Sequence, residues 1–155
     1  MFSLDDLELS EGYREDDLDD VPGAHSKMAH NPWLKKIRAA GQWKPAIQAY
    51  LACTAMTDDL IGQVIDALEE SKYADNTIIV LWSDQGYQLG EKERWTKYSL
   101  WERATQVNLV WVAPGVTKPG STSARPVNLL DIYPTLASLT GCEPLGKQLE
   151  GNEPS

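Results

Sequence analysis

An acid, a carboxamide and a lysine occur together in one stretch of the sequence, where they could bind an anion next to a metal ion. Asp84 and Gln85 directly follow an apolar run at 77–82, and Lys97 comes 13 residues after Asp84. A carboxylate and an amide oxygen at the carboxyl end of a buried strand suit a hard divalent cation. The lysine could reach an anion bound to that cation. The pattern therefore predicts a metal-plus-lysine oxyanion site.

Each of these residues also has an ordinary explanation. Asp84 and Gln85 could cap the following turn, because aspartate is frequent in turns. Lys97 could be a solvent-exposed lysine, as most lysines are. Lys92 and Arg94, in the same stretch, are interpreted as solvated charges in preference to substrate contacts.

The surrounding sequence predicts the elements that would position this site. Apolar residues at three- and four-residue steps predict a helix, and apolar runs without alternation predict strands covered on both faces. The predicted elements are a long amphipathic helix from 45 to about 70, strands at 77–82 and 107–113, and helices at 98–103 and 129–139, the last ending at Gly141. This alternation indicates α/β layers. Two such strands also need neighbours at their edges and faces, so part of the sheet is expected to lie outside this chain.

The first part of the chain differs in composition from the rest. Residues 1–31 contain nine acids against Arg14 and Lys27 and so carry −7 of the net charge of −9, which leaves −2 for the remainder. We expect an acidic, irregular lead-in over 1–31 that follows the surface, and a catalytic-domain portion over 32–155. The acidic run at 16–20 lacks the glycine and the distal glutamate of a calcium loop, and is interpreted as a solvated loop.

Composition excludes some classes of partner. An acidic chain repels nucleic acid, and no apolar run approaches the ~20 residues that cross a bilayer, so neither nucleic acid nor membrane is an expected partner. No secretory signal is recognisable at the start. Cys53 and Cys142 are interpreted as buried, inert thiols, and His25 and His30 as surface histidines.

An ordered series of short segments in this sequence resembles a known family. The resemblance extends from about Trp43 to Gly151, and its ordered segments are Ala74-Asp75-Asn76-Thr77-Ile78-Ile79-Val80, Ser83-Asp84-Gln85-Gly86, Leu89-Gly90-Glu91, Trp95-Thr96-Lys97-Tyr98-Ser99, Val112-Ala113-Pro114-Gly115, Asp131-Ile132-Tyr133-Pro134-Thr135-Leu136 and Leu149-Glu150-Gly151. This series is similar to the sulfatases of the alkaline-phosphatase-like superfamily, particularly the iduronate-2-sulfatase-like branch. The resemblance implies a partial alkaline-phosphatase-like sandwich, with a mostly parallel sheet flanked by helices.

The resemblance also implies a chemistry. In sulfatases a cysteine or serine is oxidised to formylglycine, whose hydrate attacks sulfur while Ca²⁺ and several cations neutralise the sulfate oxygens. Carried over by position, Asp84 and Gln85 would be Ca²⁺ ligands and Lys97 would be the catalytic, sulfate-contacting lysine. Gln85 stands where many relatives have histidine or asparagine. Its amide oxygen still suits a hard cation.

The family's nucleophile motif does not occur in this sequence. Relatives carry Cys-x-Pro-x-Arg or Ser-x-Pro-x-Arg, with a pair of aspartates, ahead of the matched region; Cys142-Glu143-Pro144 is followed by Gly146 where arginine should be. We therefore expect the later part of a sulfatase catalytic domain, inactive by itself. The expected substrate is a sulfated small molecule or glycan, and a further expected partner is the missing N-terminal half of the domain.

Three alternatives stay open from the sequence. The complete protein could be a phosphoric or phosphonic ester hydrolase of the same superfamily. The chain could be a catalytically inactive remnant that binds metal and anion, or an incomplete product. Relatives are often exported or lysosomal, but the sequence itself leaves the compartment undecided.

Overall fold

The structure, a computed structural model, describes residues 2–9, 13–23 and 31–143. These residues divide into two compact units after Val116. The first unit contains helices α1 (Pro32–Ala39), α2 (Trp43–Glu69) and α3 (Glu102–Thr105), and strands β1 (Ile79–Trp82), β2 (Gln88–Leu89), β3 (Trp95–Thr96) and β4 (Leu109–Val112). The second contains helix α4 (Ile132–Thr140).

The two helices at the start of the first unit have clear local causes. The Asn31 side chain accepts a hydrogen bond from the Trp33 amide at 2.8 Å, and Pro32 occupies the first turn of α1, where its missing N–H is not needed. Helix α1 was not predicted from the sequence. Helix α2, by contrast, agrees with the predicted amphipathic helix within two residues at each end.

The core of the first unit forms where α1 and α2 meet strand β3. Leu34, Ile47 and Trp95 are its buried centre, and partly buried apolar residues pack around them, including Leu9 from the acidic lead-in. The lead-in also contributes Tyr13, whose ring lies edge-on to Trp43 at 4.8 Å between centroids. Leu9 and Tyr13 therefore pack the lead-in against the first unit's core and helix α2.

Both strand pairs among the described residues are antiparallel. Strand β1 pairs with β4, so that Leu81 lies opposite Val110, and β2 pairs with β3 as a small hairpin. The predicted mostly parallel sheet is thus not confirmed in the described part of the chain. Large mixed sheets commonly combine antiparallel and parallel strands, and further strands would be needed to make parallel neighbours here.

The β1–β4 pair is apolar on both faces and is only partly covered. Leu81, Trp82, Val110 and Val112 are all exposed, although their sequence predicted strands buried on both sides. Helix α2 has a similar exposed region, in which Val64 is 71% exposed. Isolated two-stranded sheets are only marginally stable in water. The exposed surfaces of the β1–β4 pair and of α2 have the apolar composition of a protein interior.

Helix α4 begins and ends at residues that the sequence pattern identified. A 3₁₀ turn at Leu129–Asp131 leads into the helix, with the Asn128 side chain accepting from the Leu130 amide at 3.1 Å. Gly141 ends it with a φ of 66°, a left-handed conformation that glycine adopts without strain. The predicted helix over 98–103 is instead α3, at Glu102–Thr105. Across the described ranges, no helix combines the length and the apolarity needed to span a bilayer.

Candidate functional site

Asp84 and Gln85 lie immediately after strand β1, as predicted. Asp84 is exposed and Gln85 is half-buried. Ser83 fixes the backbone between them, because its hydroxyl donates to the Gln85 carbonyl at 2.7 Å and accepts from the Gln85 amide at 3.4 Å. Neither the Asp84 carboxylate nor the Gln85 carboxamide makes a hydrogen bond or ion pair with any described residue. Within the described ranges, the side-chain oxygens of Asp84 and Gln85 therefore have no bonded partner.

Gly86 holds this loop against helix α3. Its amide donates to the Ala104 carbonyl at 3.0 Å, and a Cβ atom at this position would lie 2.2 Å from the Arg103 carbonyl oxygen. Backbone meets backbone at this point, so the neighbouring atoms cannot move away by changing a rotamer. Glycine is therefore required by close packing here, and it sets the distance between the Asp84 loop and α3.

The segment from Gln88 to Ser99 forms a tight hairpin with a strained backbone. Four non-glycine residues have positive φ: Lys92 and Glu93 at 53°, Thr96 at 99° and Tyr98 at 62°. Such conformations cost about 1–3 kcal/mol each and persist only where surrounding contacts enforce them. They flank Lys97 on both sides.

Two ion pairs hold the tip of this hairpin. The Lys92 ammonium lies 2.6 Å from the Asp17 carboxylate and also donates to the Asp17 carbonyl at 2.9 Å. The carboxylate of the next residue, Glu93, accepts hydrogen bonds from both terminal nitrogens of Arg38, at 2.6 and 2.9 Å. The interpretation of Lys92 and of the run at 16–20 as solvated charges is therefore wrong for Lys92 and Asp17, because they bind each other.

Lys97 differs from the neighbouring cations. It is half-buried, and its ammonium lies 5.8 Å from the centroid of the Tyr98 ring, while no described residue gives it an ion pair or hydrogen bond. Arg94 uses a terminal nitrogen to donate to the Tyr98 carbonyl at 3.1 Å, and Lys92 binds Asp17. Of these three cations, Lys97 is the one whose side chain makes no hydrogen bond or ion pair with a described residue. No direct bond links it to Asp84 or Gln85.

Aromatic side chains pack together where the hairpin meets helix α2. Trp95 is buried, Tyr87 lies edge-on to it at 6.3 Å, and Tyr87 stacks on Tyr50 of α2 at 5.2 Å between centroids. Burial raises the pKa of the Tyr87 hydroxyl, and Tyr50 adds to the increase. Tyr87 therefore stays neutral over the physiological range and serves as a packing residue.

The ordered segments that carry these residues match a family model. The model describes sulfatases and covers residues 9–142 of this chain. The chain belongs to the sulfatase family. The resemblance inferred from the sequence is thereby confirmed, and with it an alkaline-phosphatase-like α/β fold at the family level.

Comparison with individual sulfatases shows what share of their length this chain matches. A sulfatase of Formosa agariphila is 47% identical over 134 residues, which are 84% of this chain and 26% of that protein. The iduronate 2-sulfatase of Homo sapiens is 29% identical over 80% of this chain and 30% of its own length. A choline-sulfatase of Rhizobium meliloti is 37% identical over 61% of this chain and 18% of its own. The chain thus spans less than a third of these relatives.

Sulfatases generally depend on Ca²⁺, and the donor chemistry of the Asp84 loop is compatible with that ion. Ca²⁺ takes six to eight oxygen ligands, whereas Asp84 and Gln85 supply a carboxylate and an amide. Among residues 2–9, 13–23 and 31–143 there is no group of three or more His, Cys, Asp or Glu side chains that could hold a metal. The oxygen donors fit a hard cation, but they form only part of its coordination shell.

Other sequence-based interpretations have different outcomes. Cys53 and Cys142 are both exposed, so the expectation of buried thiols is wrong; Cys53 lies on the uncovered part of α2. His25 and His30 fall outside the described residues.

Sequence reasoning missed two residues that organise the site. Gln88 is fully buried, and Asp17 joins the lead-in to the hairpin. The sequence does not indicate burial of Gln88, because in a strand the side chain between Tyr87 and Leu89 points to the face opposite to theirs. No local signal distinguishes Asp17 from the four other acids at 15–20.

Proposed function

We propose that this chain supplies the Ca²⁺-binding loop and the sulfate-contacting lysine of a catalytic domain that hydrolyses sulfate esters. Asp84 and Gln85 would bind the metal ion, and Lys97 would contact a sulfate oxygen. The main support is that these three side chains make no hydrogen bonds or ion pairs within the described chain, while the cations beside Lys97 are engaged. Backbone strain of the kind found on both sides of Lys97 clusters at binding sites.

The chemistry explains why this combination would be useful. Sulfate transfer passes through a transition state with charge on several oxygens, which preorganised cations stabilise. When bound, Ca²⁺ would supply most of that positive charge. The role of Lys97 would be to bind one sulfate oxygen through its positive charge, and Asp84 would keep the local net charge compatible with a divalent ion.

The remainder of the coordination shell and the nucleophile would come from other parts of a complete catalytic domain. The sequence contains no Cys-x-Pro-x-Arg or Ser-x-Pro-x-Arg, so we expect the 155-residue chain to turn over no sulfate ester by itself. The expected partner is the portion of the domain that precedes the matched region in the relatives. Its strands would extend the β1–β4 pair into the mostly parallel sheet and cover its exposed faces.

The relatives support a proposal for the substrate class. Iduronate 2-sulfatase and choline-sulfatase are both named for sulfate-ester substrates, so a sulfated small molecule or glycan is proposed here. Hydrolysis of phosphoric or phosphonic esters is the second candidate function from the sequence, and the relatives named here do not favour it. A remnant that retains only metal and anion binding is the non-catalytic alternative.

A binding experiment on the 155-residue chain tests the site. Because the coordination shell is partial, calorimetry with CaCl₂, then with sodium sulfate in the presence of Ca²⁺, should show weak sulfate binding that requires the metal. Asp84→Asn should weaken Ca²⁺ binding, and Lys97→Met should weaken sulfate binding about tenfold or more while leaving Ca²⁺ binding intact. Asp75→Asn and Lys72→Met are matched surface controls. Equal effects from controls and site variants would contradict the proposal.

The reaction itself requires a protein that contains the complete catalytic domain. Such a protein should hydrolyse an aryl sulfate faster than the matching aryl phosphate, and Lys97→Met should reduce the sulfatase rate by about 100-fold or more, the loss typical of one transition-state contact. A preference for the phosphate ester would favour the second candidate. Turnover by the 155-residue chain alone would overturn the expectation of inactivity.

A further inference from the structure

Gln88 has the most completely buried polar side chain in the described part of the chain. Its exposed fraction is 0%, although a glutamine amide in an apolar setting costs free energy unless both its ends are hydrogen-bonded. Both ends are: Nε2 donates to the Glu91 carbonyl at 3.1 Å, and Oε1 accepts from the Ser99 hydroxyl at 2.6 Å. The amide is therefore a fixed internal link.

This link connects the two sides of the turn that carries Lys97. The Gln88 backbone lies opposite Thr96 in the β2–β3 pair, and its side chain binds Ser99. Lys97 lies between these two attachment points. A single buried residue thus determines where the chain enters and leaves the lysine turn.

The turn requires such an external constraint. Thr96 and Tyr98, on either side of Lys97, have φ values of 99° and 62°, which are costly for residues with a Cβ atom. The Tyr98 side chain is 83% exposed, so its packing cannot enforce the conformation. Among the described residues, three contacts act on this part of the turn: the Arg94 side chain donates to the Tyr98 carbonyl, the Thr96 hydroxyl donates to the Lys97 carbonyl at 3.4 Å, and Ser99 donates to Gln88.

We propose that Gln88 and Ser99 are positioning residues, which hold the turn at 96–98 in its strained conformation and thereby fix the Lys97 ammonium for anion binding. The inference rests on the proposed function of Lys97, and it adds a pair of residues that touch neither metal nor anion. Loss of the pair would let the turn relax to negative φ. Lys97 would keep its charge, but its ammonium would no longer be held in one position.

The experiment compares Ser99→Ala with Ser99→Thr in the 155-residue chain. Threonine keeps the hydroxyl that Gln88 accepts from, and Ser99 is only half-buried, so neither substitution removes core volume. NMR three-bond couplings and chemical shifts measure φ at Thr96 and Tyr98, and thermal unfolding checks that each variant is folded. Sulfate binding in the presence of Ca²⁺ is followed through the shifts of the Lys97 resonances. Gln88→Met, of similar length, is the second variant.

Ser99→Ala and Gln88→Met should lose positive φ at Tyr98 and weaken sulfate binding by about tenfold, the equivalent of one buried hydrogen bond. Ser99→Thr should retain both properties. Positive φ at Tyr98 in both disrupting variants would overturn the positioning role. If sulfate leaves the Lys97 resonances unchanged even in the native chain, the proposed function of Lys97 fails, while the φ measurement still decides whether Gln88 and Ser99 hold the turn.

Discussion

The Lys92 ammonium and the Asp17 carboxylate lie 2.6 Å apart, although 75 residues separate them in the chain. The same carboxylate accepts from the Lys92 backbone amide at 3.2 Å, and the ammonium lies 5.0 Å from the centroid of the Trp101 ring. The lead-in therefore binds the tip of the hairpin through both side chain and backbone. Lys92 is engaged by this contact and Arg94 by the Tyr98 carbonyl, so Lys97 is the cation of the loop whose side chain has no hydrogen bond or ion pair among the described residues.

The Asp17–Lys92 pair should contribute measurably to stability. Its side chains are 15% and 25% exposed, so the pair is less screened than a surface salt bridge. A double-mutant cycle with Asp17→Asn and Lys92→Met should give a coupling energy of about 1–2 kcal/mol from denaturant unfolding. The Arg14–Asp16 pair, with exposures of 69% and 58%, is the control and should show no measurable coupling. Equal coupling in both cycles would contradict this contrast.

Gly86→Ala should destabilise the Asp84 loop. The added Cβ would meet the Arg103 and Gln106 carbonyl oxygens at 2.2 and 2.9 Å, and overpacking of this kind costs about 1–3 kcal/mol. Gly62→Ala is the matched control: it lies inside α2 with nothing within 4 Å of the new methyl group and should stabilise the helix by up to about 1 kcal/mol. Thermal unfolding of both variants measures the difference, and a neutral Gly86→Ala would show that the loop does not approach α3 so closely.

Gly90→Ala should be more damaging than an alanine at another positive-φ glycine. Gly90 has a φ of 139° and packs against Trp43, whose ring would lie 2.3 Å from the new Cβ, while the Trp43 indole donates to the Leu89 carbonyl at 2.8 Å. Gly115 has a φ of 77° with open space around it. Gly115→Ala should cost about 1 kcal/mol for backbone strain, and Gly90→Ala about 1–3 kcal/mol more. If denaturant unfolding shows equal losses of stability in the two variants, the contact with Trp43 is not the reason that position 90 requires glycine.

The exposed face of the β1–β4 pair should make the chain self-associate. Leu81 and Val110 are cross-strand neighbours and are 42% and 49% exposed. Replacing both by threonine should weaken self-association about tenfold, because burial of two apolar side chains is worth on the order of 1–3 kcal/mol. Sedimentation velocity measures this, with Val116→Thr, an exposed valine after the strand, as control. A monomeric native chain at high concentration would show that this face attracts no second copy.

Much of the fold could be predicted from local patterns. Helix α2 follows from apolar residues at helical spacing, β1 and β4 from their β-branched runs, and the end of α4 from Gly141. Helix α1 was missed because Asn31 and Pro32, which start it, are the only strong signal in a short segment. The antiparallel pairing of β1 with β4 could not be predicted, since a strand's apolar pattern is the same in either direction.

The residue types of the loop from Ser83 to Ser99 identified the family and proposed Asp84, Gln85 and Lys97, because a family signature is a property of order and spacing along the chain. Only the tertiary structure decided which cations are engaged and which residue holds the lysine turn. Lys92 binds Asp17, Glu93 binds Arg38 from 55 residues away, and Gln88 is buried between Glu91 and Ser99. The physical reason is that burial and charge pairing depend on which distant segments meet in space, and no local pattern records that.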